Sequence, residues 1–133
     1  MFVQPYLYFD GRCEEALDFY KQAAGAETTM LMRFGQSPGA ARDASNANKI
    51  MHAAFRIGAT MLLASDGNCG DRPLFKGVSL SLTVQSEAEA DSIFAALAVG
   101  GKISMPMATT FFAKRFGQVI DRFGLEWMIM LPA

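Results

Sequence analysis

Apolar and polar positions change period several times along this chain, and each change marks an element. Phe2-Val3-Gln4-Pro5-Tyr6-Leu7-Tyr8-Phe9 is rich in aromatic and branched residues and reads as a strand. Pro5 has no amide proton to donate, which puts the strand at a sheet edge or Pro5 at its beginning. A helix is expected over Gly11–Ala24, because Cys13, Leu17, Tyr20 and Ala24 recur at helical spacing. Glu14 and Glu15 occupy its first turn, where the helix dipole favours anions, and Gly25 stands where a left-handed cap belongs. Thr28–Phe34 reads as a second strand. Gly35–Asn48 has no period and the length of a lid or a mobile loop. Ile50–Ile57 and Thr60–Ala64 are two strands around a Gly58-Ala59 hairpin, and Asp66–Lys76 is a further connection.

The second half repeats this plan. Val78–Val84 is a strand, and Ser86 with Glu89 three residues later is a capping box opening a helix over Glu87–Val99. Ala90, Ile93, Phe94 and Leu97 form its apolar stripe, and Gly100-Gly101 ends it. Ile103–Met107, Phe111–Ile120 (with an irregular start) and Leu125–Leu131 are three more strands, the last two joined by Asp121-Arg122-Phe123-Gly124. Each half thus runs strand, helix, three strands. The expected organisation is α+β, one domain over 1–133, with module one at about 1–70 and module two at about 76–133.

Composition narrows the partners. The 133 residues are 51% hydrophobic and 19% charged, with a formal net charge of −1. That suffices for a core and lacks the basic footprint that nucleic acid or an anionic membrane requires, so neither is an expected partner. No apolar run approaches the roughly 18 residues of a membrane span. The start Met1-Phe2-Val3-Gln4-Pro5 lacks the basic opening of a signal peptide. Cys13 and Cys69 are too few for a disulfide framework, so a reducing cytoplasm is the expected setting.

Several blocks resemble a known family. Pro5-Tyr6-Leu7, Cys13-Glu14-Glu15-Ala16-Leu17-Asp18-Phe19-Tyr20, Met51-His52-Ala53, Ala64-Ser65-Asp66 and Thr110-Phe111-Phe112-Ala113 are similar to the PhnB-like branch of the vicinal oxygen chelate superfamily. Phe116-Gly117, Asp121-Arg122-Phe123-Gly124 and Trp127-Met128-Ile129 continue the likeness, in order, over nearly the whole chain. The superfamily includes glyoxalase I, bleomycin-resistance proteins and extradiol dioxygenases. The resemblance implies two βαβββ modules forming curved mixed sheets around a cavity, and a homodimer. Members of this branch often carry a methyltransferase label. A doubly wound nucleotide-type methyltransferase needs a glycine-rich turn after its first strand, and Asp10-Gly11-Arg12-Cys13-Glu14 has no glycine pair.

Metal-binding members take one ligand from each of the first, fourth, fifth and eighth strands. Here the resemblance assigns those positions to Gln4 or Pro5, about Leu62, Ser79 and Met128. Leucine and methionine do not hold a hard divalent cation, so neither a catalytic metal nor another cofactor is expected. Glu126 shares a strand face with Met128 and is the one nearby carboxylate.

His52, the sole histidine, is the candidate for acid–base work, and its strand face depends on hairpin register. Tyr6, Phe112 and Trp127 are expected to line an apolar cavity, with Arg115 as a polar contact. Ser79 and Ser81, alternating with leucines, would place two hydroxyls on one face. Ser65 with Asp66 and His52 lacks a nucleophile elbow and does not read as a hydrolase. Cys69 is the expected exposed thiol, whereas Glu14 and Glu15 oppose activation of Cys13. The preferred function is metal-independent binding of a small, largely apolar or aromatic molecule of unknown identity. The alternatives are a glyoxalase- or lyase-type enzyme with His52 as base, and a dimeric interaction module without a ligand.

Overall fold

The computed structural model describes residues 1–36 and 44–133. Residues 37–43 of the expected 35–48 loop lie outside the described residues; its flanks form short 3-10 turns at Phe34–Gln36 and Ala44–Asn46. The chain divides into two compact units, Met1–Pro73 and Leu74–Ala133.

In the first unit the order is β1 (Tyr6–Tyr8), α1 (Cys13–Ala24), β2 (Glu27–Arg33), β3 (Ile50–Ile57) and β4 (Thr60–Ser65). The sheet runs β1-β4-β3-β2, with β1 parallel to β4 and the other pairs antiparallel. Strand β1 is much shorter than the apolar run Phe2–Phe9, because regular pairing with β4 starts only after Pro5. Phe34 leaves β2 for the 3-10 turn yet stays buried. Helix α1 buries Cys13, Ala16, Leu17, Tyr20 and Ala23, and Tyr20 stacks on Phe55 with ring centroids 6.3 Å apart. Gly25 closes the helix at φ 68°, where a side chain would be strained; its amide bonds back to the Lys21 carbonyl and the Ala26 amide to that of Tyr20.

The second unit has the same plan: β5 (Ser79–Thr83), α2 (Glu87–Ala98), β6 (Lys102–Ala108), β7 (Ala113–Ile120) and β8 (Glu126–Pro132). Its sheet runs β5-β8-β7-β6, with β5 parallel to β8. Ser86 caps α2 by accepting the Glu89 amide at 3.1 Å, as the capping box requires. Glu89 reaches back to the Gln85 amide, one residue earlier than Ser86 itself. Among the described residues, no helix is long and apolar enough to cross a membrane.

Strand alternation gives each sheet a helix-covered face and an opposite face. Ala53, Phe55 and Ile57 on β3 point to the covered face, while His52, Ala54 and Arg56 point away. On β8 the covered residues are Trp127, Ile129 and Leu131, with Glu126, Met128 and Met130 on the other side. Both sheets therefore bury aliphatic and aromatic side chains against one helix and leave mixed chemistry opposite it.

Candidate functional site

On the first sheet, the face opposite α1 carries a row of rings. Tyr6 and Tyr8 stand two residues apart on β1 and so project to the same side, with Leu7 buried between them. Their centroids are 5.0 Å apart, and the Tyr6 ring lies 5.5 Å from the His52 imidazole. The Tyr6 hydroxyl and His52 Nδ1 are 2.8 Å apart, a hydrogen bond across 46 residues of sequence. Burial, and then the neighbouring Tyr8, push the Tyr6 phenol above its ordinary range, so it stays neutral. Nδ1 is thereby engaged with Tyr6, and Nε2 is the imidazole's second polar atom. Met32 pairs with His52 across β2 and β3, and Met30 pairs with Ala54. The result is three partly exposed rings beside adaptable thioethers.

The corresponding face of the second sheet is hydroxylated at its edge. Ser79, Ser81 and Thr83 alternate along β5, and Ser79 faces Glu126 in the parallel register. The Ser79 hydroxyl donates to Glu126 Oε1. An open cleft of about 550 Å³ adjoins the pair and includes Met128.

The remaining expected site residues divide. Phe112 is 45% exposed just before β7 and packs edge-on against both Phe111 and Phe116, away from the buried core. Trp127 is a correction: it is 2% exposed on the helix-covered face, and its indole N–H donates to Asp121 at 2.9 Å. It fills the core because β8 alternation points the larger apolar residue toward α2. Arg115 is a second correction. It shares the covered face of β7 with Ala113 and Gly117 and pairs with Asp91 on α2. The fourth-strand position at Leu62 also turns inward, so the residues of β4 on the other face are Met61, Leu63 and Ser65.

The strand positions that the resemblance assigns to a metal are therefore unfit for a hard cation. Leu63, Met61 and Met128 offer no hard oxygen or nitrogen, and the Ser79 hydroxyl is engaged with Glu126. Among the described residues, no group of three or more His, Cys, Asp or Glu side chains converges for a metal.

Buried carboxylates are the feature missed in the sequence. Asp66, just after β4, accepts from the amides of Gly11 at 2.9 Å, Cys13 at 2.7 Å and Ile50 at 2.6 Å. Asp121 accepts from the amides of Phe123 and Leu125 and from Trp127. A polar residue flanking a strand end was the available signal, and it named no partner. Cys13 is wholly buried beside Asp66; burial, then the Asp66 and Glu14 charges, push its thiol far up, so it is no nucleophile near neutrality. Cys69 is partly exposed in the loop after β4.

Similar proteins agree with this architecture. A family model described as 3-demethylubiquinone-9 3-methyltransferase matches residues 2–130. Protein YjdN of Escherichia coli (strain K12) is 35% identical over 136 residues, covering 96% of this chain and 92% of YjdN. The crystal structure of protein PA1353 from Pseudomonas aeruginosa is 41% identical with a TM-score of 0.86, covering 99% of this chain and 98% of that one. The PhnB protein from Bacillus cereus is 26% identical at a TM-score of 0.81, with 98% and 99% covered. For the fold alone, a glyoxylase/bleomycin resistance protein/dioxygenase domain from Frankia sp. EAN1pec matches at a TM-score of 0.63 and 18% identity, with 98% and 94% covered. Neither sheet here is the doubly wound parallel kind with which a nucleotide-type methyltransferase binds its cofactor. Paired βαβββ modules in the glyoxalase/bleomycin-resistance fold, with the family match over residues 2–130, establish that the chain belongs to the PhnB-like family described as 3-demethylubiquinone-9 3-methyltransferase.

Proposed function

We propose that this protein binds a small planar, largely aromatic molecule without a catalytic metal, on the ring-bearing face of its first sheet. The observation that carries this reading is the Tyr8–Tyr6–His52 row, joined by the Tyr6–His52 hydrogen bond. Three rings on a sheet face opposite the helix give a stacking surface, and the second imidazole nitrogen gives one directional polar contact. A ligand of this class presents a flat face to Tyr6 and a polar atom to His52. Metal independence follows from the donor set described above.

Titration with 1-naphthol, read by calorimetry and by melting temperature, tests the proposal. Saturable binding is expected, with Tyr6→Ala weakening it at least tenfold and chelator leaving it unchanged. Binding that survives Tyr6→Ala, or that disappears with chelator, overturns it.

We also propose a symmetric homodimer. The sheet edges β2 and β6 expose Met30, Ile103 and Met105, and edge strands with apolar side chains call for cover. Light scattering at micromolar concentration should give twice the chain mass; a monomer's mass overturns it.

A further inference from the structure

The cleft of the second unit has its own chemistry. Phe75, Val78, Ile120 and Met128 supply apolar wall, and the Ser79–Glu126 pair supplies polar atoms. The other glutamates and aspartates near arginines are matched: Glu15 with Arg12, Glu14 with Arg33, Glu27 with Arg56 and Asp91 with Arg115. Glu126 differs. Among the described residues, its carboxylate accepts from the Ser79 hydroxyl and has no cation within ion-pair distance. Lys76 borders the same cleft and makes no ion pair among the described residues.

The hydrogen-bond inventory fixes what fits there. Serine has one hydroxyl proton, and here it is spent on Glu126 Oε1. What remains on this pair is acceptor capacity only: the lone pairs of Ser79 Oγ and the second carboxylate oxygen. A head group complementary to the pair therefore brings donors and a positive charge. A protonated amine meets both conditions. An alcohol brings no charge, a carboxylate repels, and a quaternary ammonium has no N–H to give.

We propose that this cleft binds a small organic monoammonium ion, its N–H groups donating to Glu126 and Ser79 and its hydrocarbon lying on Phe75, Val78, Ile120 and Met128. Lys76 at the border disfavours a second positive charge on the ligand. The site lies wholly within residues 74–133 and stands apart from the ring-row reading, which rests on other side chains.

The test uses the full chain labelled at its methionine methyl groups, titrated with benzylammonium, benzyl alcohol and benzyltrimethylammonium at neutral pH. Benzylammonium should shift the Met128 methyl saturably, with the alcohol and the quaternary ion at least tenfold weaker. Glu126→Gln should cost at least tenfold, and Ser79→Ala several-fold, in variants whose remaining methyl spectrum matches the parent. Equal binding of the alcohol or the quaternary ion overturns the proposal. So does unchanged affinity in both variants, or a response confined to other methionines.

Discussion

The two units share one strand order and hold their helices in opposite ways. In the second, the cap is local: Ser86 accepts the Glu89 amide within one turn, and the buried Asp121 closes its own β7–β8 turn while anchoring Trp127. In the first, the residue at the α1 N-cap position, Arg12, makes no capping hydrogen bond with its side chain. Asp66 does that work from 53 residues away, binding the Cys13 amide and also the start of β3 through Ile50. One carboxylate thus ties a helix start, a strand start and a strand end. Identical topology does not dictate identical fastening; the first unit concentrates in one side chain what the second distributes among several.

The contrast predicts unequal losses. Asp66→Ala strands several buried amides at once and should cost about 4 kcal/mol in denaturant unfolding, well above an ordinary cap. Asp66→Asn, keeping one acceptor oxygen, should fall between it and the parent. If Asp66→Ala costs no more than Ser86→Ala, the two fastenings are equivalent and the comparison fails.

Cys13 sharpens it through pH. Its folded-state thiol is raised by burial first and by Asp66 and Glu14 after that, so the folded chain holds a proton that the unfolded chain releases. The stabilisation is complete below the unfolded thiol value, roughly 8.5. It is lost as pH rises above that value, at up to about 1.4 kcal/mol per pH unit. Urea titrations from pH 8 to 10 should show a shallower decline for Cys13→Ala than for the parent. Parallel declines would remove the thiol from the account.

The smallest effect belongs to the local cap. Ser86→Ala should cost about 1 kcal/mol and leave the first unit's amide exchange untouched. A loss as large as that from Asp66→Ala would again erase the distinction.

These differences also explain what the sequence made legible. Local devices were readable: the Gly25 cap, the Gly58-Ala59 hairpin, the Ser86 box and the bounds of β3 at Ile50 and Ile57 all match the structure. Their signals lie within a few residues of the features they create. The Tyr6–His52 contact was half legible, since both residues stood out yet nothing local states that β1 pairs with β4 and β4 with β3. The expected cavity roles of Trp127 and Arg115 failed for a related reason. Resemblance supplied candidate residue types, but strand alternation decides which face each takes, and α2 claims both. Asp66 was the least legible, because a carboxylate flanking a strand looks alike whether it meets water or three amides.

The parallel pairing of β1 with β4 has a consequence for biosynthesis. The first strand of the unit to leave the ribosome is among the last to be paired in its sheet, since its neighbour is the unit's fourth strand. Until Ser65 has emerged, Tyr6-Leu7-Tyr8 has no backbone partner, and at roughly 5–20 residues per second that interval lasts seconds. An aromatic segment left waiting while loop closure accumulates its entropic cost is where a nascent-chain chaperone would find its grip.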